Sequence, residues 1–342
     1  MRKSIAIIIT SILVLSGCNK QQSVSDRLLN EVEKAIAINP DSASNLLKGI
    51  SSPEKLDNKT FARWCMLSGK ITDEIFNSIL PTYQLERAYD WYSSHGSPDE
   101  QVQILIYLGR SYFADGDYDK AMSIYTNALD IAEKNKLNNL TGYTYSYIGD
   151  LYGEKFMRTE AIKRYKAAAE CFKKENNTDS YACALRDVGR EYACIDSLSR
   201  ALKILTIADS VARNTKNIEV TASIDNALGN IYAMQNKYDK AEEYFLKALV
   251  GRETMPDYMA LIDLYIASGA INKAQELLSK ILQDNPKYTY SIKYLYYQIY
   301  NEEKNYKEAL TNLKEYVEIT DSIIYADNQS KILNIESKYC LL

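Results

Sequence analysis

The sequence contains little of what interrupts helices or supports metal and histidine chemistry. It has 6 Pro, 13 Gly and a single His in 342 residues, a profile suited to long helices with few breaks. It also lacks a block of like charge, because 45 acidic and 41 basic side chains give a net charge of -4. A nucleic-acid partner is therefore not expected. The apolar share of 46% and charged share of 25% are ordinary, which disfavours disorder and a multi-span membrane protein.

The catalytic repertoire is equally sparse. His95 lies in a cluster of helix breakers from Ser93 to Pro98, which favours a loop or cap residue over a catalytic base. No nucleophile motif, Gly-rich phosphate loop or metal-ligand spacing accompanies it. Five cysteines besides Cys18 form no C-x-x-C, and an odd number cannot all pair within one chain, so they are predicted to be small buried apolar residues. We therefore predict a protein that is not an enzyme and needs no cofactor or metal.

The N-terminus has the pattern of an export signal. Two positive charges precede an apolar run from Ile5 to Leu15, which is shorter than the ~20 residues of a membrane span. Leu15-Ser16-Gly17-Cys18 resembles a bacterial lipobox, which implies cleavage after residue 17 and lipidation of Cys18. The alternative is an ordinary signal peptide with a chance cysteine. Residues 18–25 would then form a polar leash, and by similarity to Gram-negative lipoproteins the absence of Asp at position 19 favours the outer membrane, facing the periplasm.

A repeat organises most of the remaining chain. An apolar residue and Gly are followed by Tyr three positions later and Ala nine positions after that, and the glycines recur every 40 residues at Gly109, Gly149, Gly189 and Gly229. Two looser copies begin at Leu261 and Tyr296. The small residues mark points where helices cross closely, and the large ones fill the gaps between neighbours.

This pattern resembles the tetratricopeptide repeat, a helix-turn-helix unit. The resemblance implies an all-α, right-handed superhelical solenoid with six repeats over 102–316. Degenerate N-terminal repeats would occupy 26–101, with helices at 26–38, 41–49, 58–71 and 75–93, and a capping helix would occupy 317–342 and cover an apolar face. The extra residues of the 40-residue copies are expected after the second helix, as longer helices or as loops.

The same resemblance implies a ligand groove. In this family the first helix of each repeat lines the concave side, and its second, fifth and ninth positions point into the groove. With repeats starting at residues 102, 142, 182, 222, 255 and 290, the candidate partner-binding residues are Arg110, Tyr143, Asp150, Arg186, Arg190, Asn226, Asn230 and Tyr294. Arg can pair with a carboxylate and Asn can hold a peptide backbone. The alternative is that these residues are solvated or pair with an adjacent helix.

A narrower resemblance is carried by three segments, residues 39–43, 88–96 and 107–112. They are similar to tetratricopeptide lipoproteins of Bacteroidetes and to the sensor halves of their regulators. In many such regulators a segment like Ile335-Glu336-Ser337-Lys338-Tyr339 leads into a membrane span and an output domain, whereas here the sequence stops at Leu342. Either a stand-alone lipoprotein or a shortened sensor is expected.

The sequence thus predicts a non-catalytic, lipid-anchored scaffold that binds a protein or peptide in the bacterial cell envelope, with sensing as a second use. The alternative is a structural accessory subunit of an envelope assembly or uptake complex, with contacts on the convex face and edges.

Overall fold

The computed structural model describes residues 24–75, 79–284 and 289–340, and these residues form sixteen α-helices and one short 3-10 turn, without a β-strand. The helices are 24–36 (α1), Pro40–Lys48 (α2), Asn58–Ile75 (α3), Thr82–His95 (α4), Pro98–Ala114 (α5), Tyr118–Lys134 (α6), Asn138–Glu154 (α7), Arg158–Lys174 (α8), Thr178–Cys194 (α9), Leu198–Ala212 (α10), Ile218–Met234 (α11), Tyr238–Gly251 (α12), Met255–Ala267 (α13), Ile271–Asp284 (α14), Thr289–Glu302 (α15) and Tyr306–Cys340 (α16). The predicted all-α fold of tandem helix-turn-helix repeats is confirmed. The predicted signal segment 1–17 and Cys18 lie outside the described residues.

The chain divides into two compact units between Leu151 and Tyr152, inside α7. In the first unit α3 packs against α4 and α5 against α6. In the second unit α9 packs against α10, α11 against α12, α13 against α14 and α15 against α16. The first helices of the second unit also contact one another in the order α9, α11, α13 and α15, so they form a layer of their own.

The signature glycines Gly109, Gly189 and Gly229 each make room for a large side chain of the following helix. A Cβ at Gly109 would lie 2.3 Å from Cε1 of Tyr125, and one at Gly229 would lie 2.6 Å from Cε1 of Phe245. Both aromatic rings are almost completely buried. The predicted pairing of small and large residues is therefore the contact that closes each helical hairpin.

The signature tyrosines connect three helices. The hydroxyl of Tyr265 donates a hydrogen bond of 2.8 Å to Glu242 on the preceding helix α12. The Nζ atom of Lys273, on the following helix α14, lies 5.1 Å from the centre of the same ring. Lys120 and Lys240 lie over Tyr112 and Tyr232 in the same way. A Phe could pack in this position but could not make the hydroxyl contact, so Tyr is favoured there.

The loops explain the 40-residue period. Most consist of three residues, and the middle one has a left-handed backbone conformation, as at Gly116, Lys136, Phe156, Asn176, Asp196 and Asn236. The N–H of the third loop residue bonds to the carbonyl five residues earlier, which is the Schellman arrangement. Helices α5 to α9 each have 17 residues, so helix and loop together repeat every 20. In these repeats the extra residues therefore lie within longer helices, whereas α10 has 15 residues and is followed by a longer loop, 213–217.

The N-terminal helices differ in detail from the prediction. Helix α3 continues to Ile75, and α4 begins only at Thr82 because Pro81 precedes it, so the predicted boundaries at 71 and 75 were wrong. A Cβ at Gly69 would lie 2.3 Å from the ring of Tyr107. Gly69 precedes Gly109 by 40 residues, so the glycine period extends into α3.

The C-terminal prediction also needs correction. Helix α16 runs without interruption from Tyr306 to Cys340, so the predicted boundary between 316 and 317 lies inside one helix. No Gly or Pro occurs in this stretch to end the helix. Four apolar side chains of its described part, Val317, Ile323, Ile324 and Tyr325, are exposed, so they do not cover an apolar face. Among the described residues, no helix has the length and hydrophobicity needed to cross a membrane.

Candidate functional site

The main polar constellation lies on the layer of first helices in the second unit. We call it the α9–α15 face and define it by Arg186, Arg190, Asn226, Asn230, Asp263 and Tyr294, which occupy fifth or ninth positions of their repeats. Two asparagines fix where α9 and α11 begin, because Asn177 and Asn217 each accept a backbone N–H of the first turn at 3.2 Å. The residues of both helices therefore keep a defined register.

Arg186 is occupied by contacts within the protein. Its Nε and Nη2 atoms donate to the two carboxylate oxygens of Asp187 at 2.9 and 3.1 Å. Its Nη1 atom donates to Oγ of Ser223 on α11 at 3.0 Å. This forked geometry is the one that Arg uses to bind a carboxylate, and Asp187 already supplies that carboxylate. Arg186 thus agrees better with the alternative, in which it pairs with an adjacent helix, than with a role in binding a ligand.

Arg190 lies one turn further along α9 and is far more accessible. Its side chain is 67% exposed, and its contact with Asp187 is long, at 4.0 Å. The two arginines that the sequence presented as equivalent therefore have different roles. Arg186 joins α9 to α11, and Arg190 offers a cation to solvent.

Asn226 and Asn230 form an oriented pair on α11. The Nδ2 atom of Asn226 donates to Asp257 on α13 at 2.8 Å, and the Nδ2 atom of Asn230 donates to Oδ1 of Asn226 at 3.0 Å. Because a carboxylate only accepts hydrogen bonds, Asp257 determines which end of the Asn226 amide faces Asn230. The Oδ1 atom of Asn230, which is exposed, can therefore accept a hydrogen bond from a ligand.

Asp257 is held firmly enough to determine the orientation of the Asn226 amide. It is fully buried, and Arg252 donates to both of its carboxylate oxygens at 3.0 Å. The hydroxyl of Thr254 adds a third donor. A buried carboxylate with this many donors keeps its position. Sequence reasoning missed both Asp257 and Arg252, since the contact of Asp257 with Asn226 joins different repeats.

Asp263 is a further member that the sequence analysis passed over. It is the ninth residue of the repeat that starts at Met255, so the rule that selected Arg190 and Asn230 would also have selected it. Its carboxylate is exposed, yet the surrounding protein removes enough water to raise its pKa above the ordinary value.

Tyr294 supplies an aromatic surface at the end of this face. Its ring is partly exposed and packs against Tyr316, with 5.3 Å between the ring centres, and against Tyr297 at 5.8 Å. The ring is therefore positioned by neighbours while one side remains open.

The candidates in the first unit form a separate set. Arg110 pairs with Asp73, which also accepts a 3.0 Å hydrogen bond from Tyr107, and its guanidinium lies 5.5 Å from the centre of the Tyr147 ring. Arg110 is thus engaged between helices, as Arg186 is. Tyr143 and Asp150 are exposed on α7.

Other reactive groups are dispersed. His95 is the last residue of α4, where its ring stacks on Trp91 with 5.0 Å between centres. The described residues contain no group of three His, Cys, Asp or Glu that could hold a metal ion. Cys65 is buried, which raises the pKa of its thiol, and Cys171 and Cys183 are partly buried. Cys194 is exposed, contrary to prediction, because it ends α9 beside the loop.

A second surface feature is a groove of about 760 Å³ between α12, α13 and α14. Its lining combines the apolar side chains Leu246, Leu249, Val250, Leu261 and Leu277 with acidic and basic side chains of α12 and α14. Val250 is 91% exposed at its edge.

Comparison with known proteins identifies the repeat. The family description "Tetratricopeptide repeat" matches residues 100–174 and 221–255. Among solved structures, a Rap protein complexed with Competence and Sporulation Factor shares 18% identity, with a TM-score of 0.67 over 89% of this chain and 88% of that one. A tetratricopeptide repeat protein from Parabacteroides merdae shares 17% identity, with a TM-score of 0.53 over 75% of this chain and 93% of that one.

A third solved structure is a signal transduction ATPase of Pyrococcus horikoshii with a tetratricopeptide repeat sensor. It shares 16% identity, with a TM-score of 0.56 over 91% of this chain and 54% of that one. At these identities the likeness concerns the fold. No curated protein matches the sequence significantly.

Proposed function

We propose that this chain, a tetratricopeptide-repeat protein, is a non-catalytic scaffold that binds an extended peptide segment of another protein on the α9–α15 face. Tetratricopeptide repeats are protein interaction scaffolds, and the observation that carries the proposal is the Asn226–Asn230 pair oriented by buried Asp257. An oriented amide on a helix face can accept a hydrogen bond from a backbone N–H of a peptide, whatever the side chains of that peptide are. Exposed Arg190, one repeat away, adds a cation for an acidic group.

The proposal extends to the place where the scaffold acts. The lipobox-like sequence at Leu15-Ser16-Gly17-Cys18 supports a lipid anchor on Cys18 and a location in the bacterial cell envelope. Asn19, in place of Asp, favours the outer membrane, facing the periplasm. Several acyl chains hold a protein at a membrane far more stably than one. Sensing is the second use, and the likeness to an ATPase with a repeat sensor agrees with it in fold.

A second candidate function is that of an accessory subunit whose contacts lie elsewhere. The groove between α12, α13 and α14 favours this reading, because Val250 and Leu246 at its edge are exposed and exposed apolar side chains mark interaction sites.

One experiment separates the two surfaces. The protein and two variants, Arg190→Ala/Asn230→Ala and Leu246→Ala/Val250→Ala, are used to capture partners from envelope extracts. All four side chains are solvent-exposed, so both variants should fold. A partner lost only with the first variant supports binding on the α9–α15 face, and one lost only with the second supports the accessory role. A partner retained by both variants contradicts both proposals.

The anchor is tested separately. Cells expressing the full chain or its Cys18→Ser variant are labelled with a palmitate analogue and fractionated. Label and membrane association should both depend on Cys18. If the full chain with Cys18 intact were unlabelled and in the soluble fraction, the anchor would be contradicted and the binding proposal would remain intact.

A further inference from the structure

Three ninth-position residues on successive first helices form a polar row. Arg190 lies on α9, Asn230 on α11 and Asp263 on α13, and each directly follows the same signature position of its repeat. All three are exposed. Read in this order, the row carries a cation, a neutral amide and an anion.

The two charged ends of the row are available to a ligand. Asp187, the nearest acid to Arg190, is already bound by the forked guanidinium of Arg186 and lies 4.0 Å from Arg190. No described side chain forms an ion pair or hydrogen bond with Asp263, and desolvation is the cause of its raised pKa. A carboxylate that is partly desolvated and has no counter-charge gains most from a cation supplied by a ligand.

The spacing of the row sets the length of the ligand. Packed helices lie about 8–10 Å apart, so two steps across the layer separate Arg190 and Asp263 by about 16–20 Å. An extended peptide advances about 3.3 Å per residue. About five or six residues therefore span the two charges, and Asn230 lies between them to hold the peptide backbone.

We infer that the α9–α15 face selects an extended peptide that carries an acidic group against Arg190 and a basic group against Asp263, about five residues apart and in a fixed order. This rests on the proposed function, because it assigns specificity to the same face. Charge complementarity at the two ends would set the register and reject peptides with the opposite order.

The test uses a displayed library of random decapeptides selected against the full chain purified in detergent. The selected peptides should be enriched for an acidic and a basic residue about five positions apart, in one order. Asp263→Asn should abolish the preference for the basic residue, and Asp263→Lys should replace it by a preference for an acidic one. The affinity of the best peptide should fall about tenfold in Asp263→Asn.

Two controls keep the result interpretable. Glu253→Gln removes an exposed carboxylate of the same unit outside the row and should leave the selected peptides unchanged. Thermal melting by circular dichroism establishes that each variant is folded. Peptides whose binding is lost in Asn230→Ala but whose charges do not respond to Asp263→Asn would overturn this inference and leave the proposed function standing. Failure to enrich any peptide, or enrichment that Asn230→Ala does not affect, would overturn both.

Discussion

Gly109 lies directly against the ring of Tyr125, so close that a Cβ at Gly109 would be 2.3 Å from Cε1 of the tyrosine. The ring is fully buried and cannot move away. Gly109→Ala should therefore lower the free energy of unfolding by about 1–3 kcal/mol, the usual cost of overpacking. Urea denaturation followed by circular dichroism measures this.

Gly153→Ala is the matched control. It also lies in a first helix, but its Cβ would meet no ring and no backbone, only the ends of two side chains, Glu191 Oε1 at 3.3 Å and Arg158 Nη1 at 3.7 Å. Since Ala favours helix over Gly by up to about 1 kcal/mol, this variant should be as stable as the parent or more so. Equal losses in the two variants would show that the ring contact is not the cause.

The buried ion pair beneath the asparagines gives a second prediction. Arg252→Ala leaves the fully buried carboxylate of Asp257 without its cation, which should cost about 3–5 kcal/mol. Adding Asp257→Asn to Arg252→Ala removes the uncompensated charge, so the double variant should be more stable than the single one. Thermal unfolding of the three proteins measures the difference. A double variant less stable than Arg252→Ala would mean that the carboxylate contributes through contacts other than the pair.

A third prediction concerns the hydroxyl of a signature tyrosine. Tyr265→Phe keeps the ring but removes the 2.8 Å hydrogen bond to Glu242, and should cost about 1 kcal/mol. Tyr238→Phe, whose hydroxyl contacts only exposed Asn236, should cost less than about 0.5 kcal/mol. Denaturation midpoints compare the two variants, and an equal cost for both would argue against a role of the hydroxyl in joining helices.

The fourth prediction is a pH dependence centred on Asp225. Burial raises the pKa of this carboxyl to about 6, although Arg213 and Lys247 oppose the shift, and Asp209 reinforces it. The folded state therefore retains the proton between pH 4 and 6, where the unfolded chain has lost it. Stability attributable to Asp225 is greatest at low pH and declines as pH rises through this window.

Comparison with Asp225→Asn isolates the effect. Relative to that variant, the parent should lose about 3 kcal/mol between pH 4 and pH 7, the free energy that corresponds to a rise from 3.8 to about 6. Urea midpoints across this range measure the difference. Parallel curves for the two proteins would contradict the prediction.

The fold was readable from the sequence because its main contacts repeat. Gly109 and Tyr125 belong to one helical hairpin and have a fixed spacing in the sequence, so their contact can be predicted from that spacing. The end of α3 could not be predicted as well, since Pro81 indicates only where α4 can begin. The continuity of α16 was indicated by the absence of Gly and Pro after Tyr306, but an assumed repeat boundary outweighed that signal.

The sequence predicted which residues lie on the α9–α15 face, but not which of them are available to a ligand. The register rule identified Arg186 and Arg190 equally, whereas their availability depends on Asp187 next in sequence and on Ser223 in the following repeat. The order of the Asn226 amide depends on Asp257, which lies 31 residues away. Such contacts between repeats result from packing, and no periodic pattern in the sequence indicates them.

The loops have a consequence for how the chain can change in length. Because Gly189 and Gly229 occupy the same place 40 residues apart, excising 190–229 would join Gly189 to Asn230 in the register that Arg190 had. The flanking loops at 175–177 and 235–237 would keep their left-handed residues Asn176 and Asn236. The row of exposed ninth positions would then shorten by one member and bring Asn230 into the place of Arg190. Duplication or loss of one such segment therefore alters the charge order presented to a ligand without requiring a new fold.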